Sequence, residues 1–248
     1  MGSRGIAAIS LALTYYKHMK IKFSIEKLRT MVWDHMLRKQ TLPRLLNPSN
    51  HLVRYNAHIT RRNRNILNQH ASGVLWFTGL SAAGKSTIAH GVEKKLFGRG
   101  IRSYVLDGDN VRCGINSDLG FSRQDRTENI RRIVEISKLL VDAGLIVLAS
   151  FISPSKGDRD FIRNCFSGDN LYEVYIKCSI QECERRDPKG MYEKARRGII
   201  KNYTGISAPY EEPESPQLII DTEKTNIDDS IKIVLEFMDR VGMLTLSN

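Results

Sequence analysis

Gly79-Leu80-Ser81-Ala82-Ala83-Gly84-Lys85-Ser86-Thr87 has the spacing GxxxxGK[ST]. That spacing suits one task, holding the phosphates of a nucleoside triphosphate. Gly79 and Gly84 let the backbone curl so that its N–H groups converge on phosphate oxygens. A helix starting at Lys85 would point its positive end at the same place. Lys85 adds a full charge near the β- and γ-phosphates, and Ser86 offers an oxygen to Mg²⁺. The alternative is a glycine-rich turn that binds nothing. An apolar run before the motif and a helical pattern after it favour the phosphate loop. A GTPase would also need an NKxD-type guanine reader and switch inserts, and the sequence contains neither.

Further polar residues stand where strands are expected to end, which is where ligands collect in parallel sheets. Asp107-Gly108-Asp109-Asn110 puts two carboxylates there. Asp107 and Asp109 could hold Mg²⁺ through water and take a proton from an attacking hydroxyl; the bland alternative is an Asx-rich turn with solvated acids. Arg112, Arg126 and Asn129 follow, and arginine forks suit phosphate and sulfate oxygens. Arg131 and Arg132 read as solvated helix charges. Phe121 is either a core anchor or a platform for a base. Ser153, in Phe151-Ile152-Ser153-Pro154, could hydrogen-bond a phosphate or accept a phosphoryl group; chemistry alone favours a helix N-cap followed by proline. Arg185-Arg186-Asp187-Pro188-Lys189-Gly190 and Lys194 open a charged stretch that also contains Tyr203-Thr204-Gly205-Ile206. Such a stretch can close over transferred phosphate, or be a solvated basic helix.

These residues need an α/β frame. Val74–Thr78 is a continuous apolar run of the kind buried on both faces of a sheet. Ser86–Phe97 reads as helix, Ser103–Leu106 as a second strand and Leu145–Ala149 as a third. Gln124–Ala143 reads as a long amphipathic helix with Ile130, Ile133, Val134, Ile136, Leu139 and Leu140 inward, closed by Gly144. Tyr172–Lys177 and Leu218–Ile220 supply strands four and five, and Ile227–Val241 the closing helix. The alternation predicts a three-layer α/β/α fold on a five-stranded parallel sheet. Residues 187–216 carry four prolines and no buried strand, and are read as a mobile lid.

The chain has 248 residues and a formal net charge of +11. Residues 1–72 hold 13 of the 38 Lys and Arg but 2 of the 27 Asp and Glu, so the remaining residues balance at 25 of each. The excess is a basic N-terminal extension over residues 1–50 with helix-like spacing, followed by a lead-in over 51–72 and a neutral main domain over 73–248. A neutral domain argues against a nucleic-acid groove. Cys113, Cys165, Cys178 and Cys183 form no CxxC pair and read as reduced thiols. The apolar stretch Ile6–Tyr16 is too short for a transmembrane span and lacks a signal-peptidase pattern. A cytoplasmic site is expected, with organellar targeting by the acid-poor residues 1–50 left open.

The strings VLWFTGLSAAGKST, LDGDNVR, LGFSRQDRTENIRR, FISP, RDPKGMYEKAR and YTGIS-x-PYE-x-PESP occur in this order. Together they resemble adenylylsulfate (APS) kinase, from about residue 52 to 242. The resemblance implies transfer of the ATP γ-phosphate to the ribose 3′-hydroxyl of APS, making 3′-phosphoadenylylsulfate (PAPS) for sulfate assimilation. It implies that Gly79–Thr87 and Arg185 bind ATP, with Mg²⁺ at Ser86, Asp107 and Asp109. Lys85 would stabilise transferred charge and Asp109 act as base or metal organiser. Asp109, Arg112, Arg126, Asn129, Ile152, Ser153, Lys194 and Ile206 would hold APS, with its adenine between Phe121 and Tyr203. It further implies a homodimer, association with a separate ATP sulfurylase, and phosphorylation of Ser153, which direct transfer does not need. Four positions depart from the family. Ala82-Ala83 stands where one residue is usually Gly, which is cheap if Ala82 keeps a negative φ. Tyr203 replaces a Phe, Ser207 an Asp and Glu193 a Lys.

Overall fold

The computed structural model describes residues 57–166 and 171–246; the expected helices of residues 1–50 lie outside the described residues. Among the described residues the strands are β1 (Gly73–Thr78), β2 (Ser103–Asp107), β3 (Ile146–Ser150), β4 (Leu171–Lys177) and β5 (Leu218–Asp221). All pairings are parallel, in the order β2-β3-β1-β4-β5. The expected strands are therefore present, each within one residue of its expected ends.

β1 lies at the centre and is buried along its whole length. Its alternating side chains divide the core into two layers. Leu75 and Phe77 pack with Ile88, Ala89, Val92 and Leu96 of α2 (Lys85–Phe97) and with Val234 and Met238 of α8 (Ile227–Arg240). Val74 and Trp76 pack on the other face with Ile130, Ile133 and Val134 of α4 (Arg123–Asp142) and Ile162 of α5 (Lys156–Cys165). Burial of this apolar surface on both faces drives the assembly, at about 1.5–3 kcal/mol per large side chain. The three-layer α/β/α prediction holds.

The expected inward stripe of α4 needs one correction. Ile130, Ile133, Val134 and Val141 face the core, joined by fully buried Ser137, whereas Leu139 is 73% exposed. At 100° per residue Leu139 falls opposite Ser137, so periodicity outweighs the residue's hydrophobicity. Gly144 closes the helix as expected, at φ 88°. A Cβ there would come within 2.9 Å of Arg64.

Residues 57–72 of the lead-in hold regular structure that their polar composition does not announce. They contain α1 (Arg61–Asn68), capped reciprocally by Thr60 and Asn63. Arg64 pairs with Asp142 at 2.8 Å, and Asn68 Nδ2 donates to the Gly144 carbonyl at 2.9 Å. Polar bonds, not an apolar stripe, attach this helix, which is why its hydrophobic pattern was silent. Short helices α3 (Gly108–Arg112), α6 (Ile180–Arg186) and α7 (Met191–Arg196) complete the helices of the described residues. α7 lies within residues 187–216, and Tyr192, Ala195, Tyr203 and Thr204 of that stretch are buried. The expected lid is thus rooted in the core that contains Phe77 and Cys183.

Candidate active site

The C-terminal ends of β1, β2 and β3 open into one cleft of about 1310 Å³. Ligand pockets typically measure roughly 300–1,000 Å³, so this cleft has room for more than one small ligand.

On one side of the cleft the chain between β1 and α2 curls back on itself. Gly79 has φ 151°, and a Cβ there would sit 2.4 Å from the Ile176 carbonyl oxygen. Only glycine can follow β1 this close to β4. Gly84 adopts φ 104° at the N-cap of α2. Ala82 has φ 60°, which decides the condition attached to its missing glycine: the alanine is in the left-handed region and carries strain of about 1–2 kcal/mol. Polar contacts hold the loop from outside. Thr222 Oγ1 donates to the Ala83 carbonyl at 2.9 Å, and the Tyr192 hydroxyl to the Ser81 carbonyl at 3.0 Å.

Lys85 lies inside this loop, 8% exposed, and its Nζ donates to the Leu80 carbonyl at 2.7 Å. Burial pushes its ammonium down to about 8, against the opposing pull of Cys183, Asp107 and Asp109. A desolvated ammonium of this kind gains strongly from an arriving phosphate.

Ser86 Oγ donates to Asp107 Oδ2 at 2.5 Å and lies 3.2 Å from Ser150 Oγ. The other Asp107 oxygen accepts the Asp109 N–H at 3.0 Å and caps α3. Mg²⁺ keeps several waters and needs only one or two protein oxygens beside substrate phosphates. The all-oxygen set of Ser86 and Asp107 fits that demand. Asp109 is exposed and forms an ion pair with Lys189.

The other side of the cleft carries cations. Arg112 donates to the Leu119 and Gly120 carbonyls, and its guanidinium lies 4.5 Å from the centre of the Phe121 ring. Phe121 is 63% exposed, so it is not a core anchor, and it lines the cleft. Arg126 reaches the Phe121 carbonyl, Thr204 Oγ1 at 2.9 Å and the Asn202 carbonyl at 2.5 Å. Burial, and then the charge of Arg126, lowers the proton affinity of Arg112; burial does the same to Arg126. Two partly desolvated guanidiniums acting on each other make a site that favours an anion. Asn129, buried, accepts from Asn116 Nδ2 at 2.9 Å. Ile152 and Ser153 line the same space.

Several expected placements change. Ser153 is not the N-cap of α5, because Ser155 holds that position. Ser153 is 2% exposed at φ 38°, and its Oγ accepts the Trp76 indole N–H at 3.1 Å. Lys194 is exposed and lies outside the cleft. Lys189, five residues earlier on the other side of the Gly190 turn, lines the cleft and meets Asp109 instead. Ile206 packs against the core and does not line the cleft. Tyr203 lines it, with its ring edge-on to Tyr192 at 5.1 Å. Arg185 lines it with its guanidinium on Glu182. The Ser207 substitution keeps a local bond, since Ser207 Oγ accepts the Tyr203 N–H at 2.9 Å. Lys189 was named only as part of the charged stretch, and Ser150 and Thr222 were missed. Ser150 and Thr222 sit at or beside strand ends, a position that was the available signal.

The adenylylsulphate kinase family matches residues 71–221. The adenylyl-sulfate kinase of Oceanobacillus iheyensis is 52% identical over 193 residues, covering 78% of this chain and 97% of that protein. The one from Thermodesulfovibrio yellowstonii is 54% identical over 190 residues, covering 77% and 95%. Among solved structures, the Mycobacterium tuberculosis APS kinase CysC in complex with AMPPNP and APS superposes with a TM-score of 0.67 at 45% identity, covering 68% of this chain and 99% of that one. The chain belongs to the adenylylsulphate kinase family of ATP-dependent P-loop kinases.

Proposed function

We propose that this protein phosphorylates the 3′-hydroxyl of adenylylsulfate with ATP, yielding PAPS and ADP for sulfate assimilation. One observation carries the reading. A single cleft joins a phosphate loop with its Ser86–Asp107 oxygens to a cation-lined arm bearing Phe121, Arg112 and Arg126.

ATP lies with its phosphates on the N–H groups of Gly79–Thr87, and Lys85 balances charge on the transferring phosphoryl group. Ser86 and Asp107 would hold Mg²⁺, which would supply charge neutralisation on the phosphates. Arg112 and Arg126 grip the anionic part of adenylylsulfate while its base stacks on Phe121, with Tyr203 as the facing wall. The 3′-oxygen forms the new bond to the γ-phosphorus as the bond to ADP breaks. Asp109 takes the hydroxyl proton once Lys189 shifts away from its carboxylate. Closure of residues 187–216 would exclude water. The decisive experiment is a coupled assay of the full chain with MgATP, comparing adenylylsulfate with a panel of nucleosides and nucleotides. Turnover of another acceptor in preference to adenylylsulfate would overturn the reading.

Direct transfer is preferred to a phosphoserine intermediate. Ser153 Oγ is buried and engaged by Trp76, and positioning alone suffices for an in-line acceptor. Ser153→Ala should therefore lose roughly 2- to 150-fold, the range for one hydrogen bond. Labelling of the serine by ATP alone, with passage to added adenylylsulfate at the turnover rate, would show the opposite.

Residues 1–50 are proposed as a separable extension, because the family match begins at residue 71. Their removal should leave turnover within a few-fold. No described helix is long and apolar enough to cross a membrane; a cytoplasmic site, a homodimer and association with a separate ATP sulfurylase complete the proposal.

A further inference from the structure

We propose that Arg159 is a positioning residue for the acceptor half of the reaction, holding the Ile152-Ser153-Pro154 turn in its working shape while Glu173 balances its charge. The inference rests on the functional reading above.

Arg159 and Glu173 are 3% and 4% exposed, and neither lines the cleft. A buried ion pair is weak evidence for stability, because well-packed apolar residues often do as well. The geometry suggests another use. Arg159 Nε and Glu173 Oε1 approach to 3.1 Å, yet neither atom has an aligned hydrogen bond. Glu173 meets Arg163 through its second oxygen. The aligned bond from Arg159 goes elsewhere, from Nη1 to the Ser153 carbonyl at 2.9 Å.

Ser153 needs holding. Its φ of 38° lies in the left-handed region, which a non-glycine residue keeps only when its surroundings over-determine it. Bonds converge on the turn from separate elements. Thr78 Oγ1 donates to the Ile152 carbonyl at 2.8 Å, Trp76 Nε1 to Ser153 Oγ at 3.1 Å, and the Glu211 N–H to the Pro154 carbonyl at 2.9 Å. Among these donors Arg159 alone brings a full charge, and charged donors make the stronger bonds. Its guanidinium also lies 5.9 Å from the centre of the Tyr210 ring, whose hydroxyl is 3.0 Å from Thr78 Oγ1. Arg159 therefore braces the turn against the part of residues 187–216 that carries Tyr210 and Glu211. Ile152 and Ser153 then reach the cleft in a set position.

The test uses the full chain carrying Trp33→Phe, which leaves Trp76 as the single tryptophan of the original two. Arg159→Met alone leaves buried Glu173 Oε1 without its nearest cation, with Arg163 still on Oε2, and should lower the unfolding temperature. Arg159→Met with Glu173→Met removes both charges and should recover most of it. We expect the double variant to keep a KM for adenylylsulfate raised at least about tenfold, a loss of about 1.4 kcal/mol. Its KM for ATP should stay within about twofold, and its Trp76 near-ultraviolet circular dichroism should differ from the parent. Recovery of stability together with parental KM and parental Trp76 signal would reduce the pair to a structural role and overturn the proposal. If the double variant does not fold, Arg159→Lys decides. Arg159 reaches Ser153 and Glu173 from two different nitrogens, which a lysine's single nitrogen does not reproduce. A several-fold higher KM for adenylylsulfate is therefore expected, and a parental value overturns the proposal. Should the parent prove inactive on adenylylsulfate, the functional reading fails by itself. The Trp76 signal still decides whether Arg159 sets the turn, an altered signal supporting it and an unchanged one overturning it.

Discussion

The two sides of the cleft are built in different ways. The phosphate loop is continuous with β1 and α2, its lysine is buried, and its carbonyls are held by Tyr192 and Thr222. The acceptor side rests on loops and helix ends. Its charged groups already bond to the protein itself: Arg112 to two carbonyls, Arg126 to Asn202 and Thr204, Asp109 to Lys189. The donor side is prepared in that its internal bonds, Lys85 to the Leu80 carbonyl and Ser86 to Asp107, stay within the loop and the adjoining strand end. On the proposed acceptor side, substrate would replace bonds to segments distant in the chain. A rigid scaffold makes charge stabilisation cheap at the moment of transfer. On the proposed assignment, an acceptor that takes Arg126 would release residues 202–204 from it and so couple binding to rearrangement of that stretch.

Removing Lys85 is the hardest test of the prepared side. Lys85→Met should fold, since it deletes a desolvated charge, and lose at least about a hundredfold in kcat, near 2.7 kcal/mol. Near-normal turnover by steady-state kinetics would break the comparison at its firmest point. On the exchangeable side, Arg126→Ala should raise KM for adenylylsulfate by roughly 10- to 150-fold, the worth of a charged hydrogen bond. KM for ATP should move far less; equal changes would mean the two sides are not separate.

A pH profile sharpens the same contrast. The depressed Lys85 loses its proton as pH rises through about 8, and phosphate binding needs the proton. kcat/KM for ATP should therefore fall about tenfold per unit above that pH, because this ratio reports the free enzyme. Lys85→Arg should abolish the limb. The smallest effect concerns strain in the prepared loop. Ala82→Gly removes a left-handed alanine and should stabilise by about 1 kcal/mol, or about 2–4 °C in Tm. An unchanged or lower Tm by calorimetry would show that the loop carries no strain at Ala82.

Much of this protein was legible from residue order alone. A continuous apolar run, GxxxxGK[ST] and alternating strand and helix patterns determine a parallel sheet with a phosphate loop at its centre, because burial and backbone curvature are local demands. The motif order determined the family for the same reason: each string does its chemistry with residues close in the chain. Tertiary structure decided what depends on distant partners. Gly79 is required by the Ile176 carbonyl on another strand. Ser153 is turned inward by Trp76 and Arg159, not set at a helix cap. Lys189 meets Asp109 and Lys194 does not, because the chain bends at Gly190, φ 62°, between them. Polar bonds fasten α1 and the acceptor arginines, and such bonds leave no periodic trace in a sequence. Hydrophobic burial writes a repeating pattern along the chain; a hydrogen bond between residues 78 positions apart, like that from Arg126 to Thr204, is specified only when the fold brings them together.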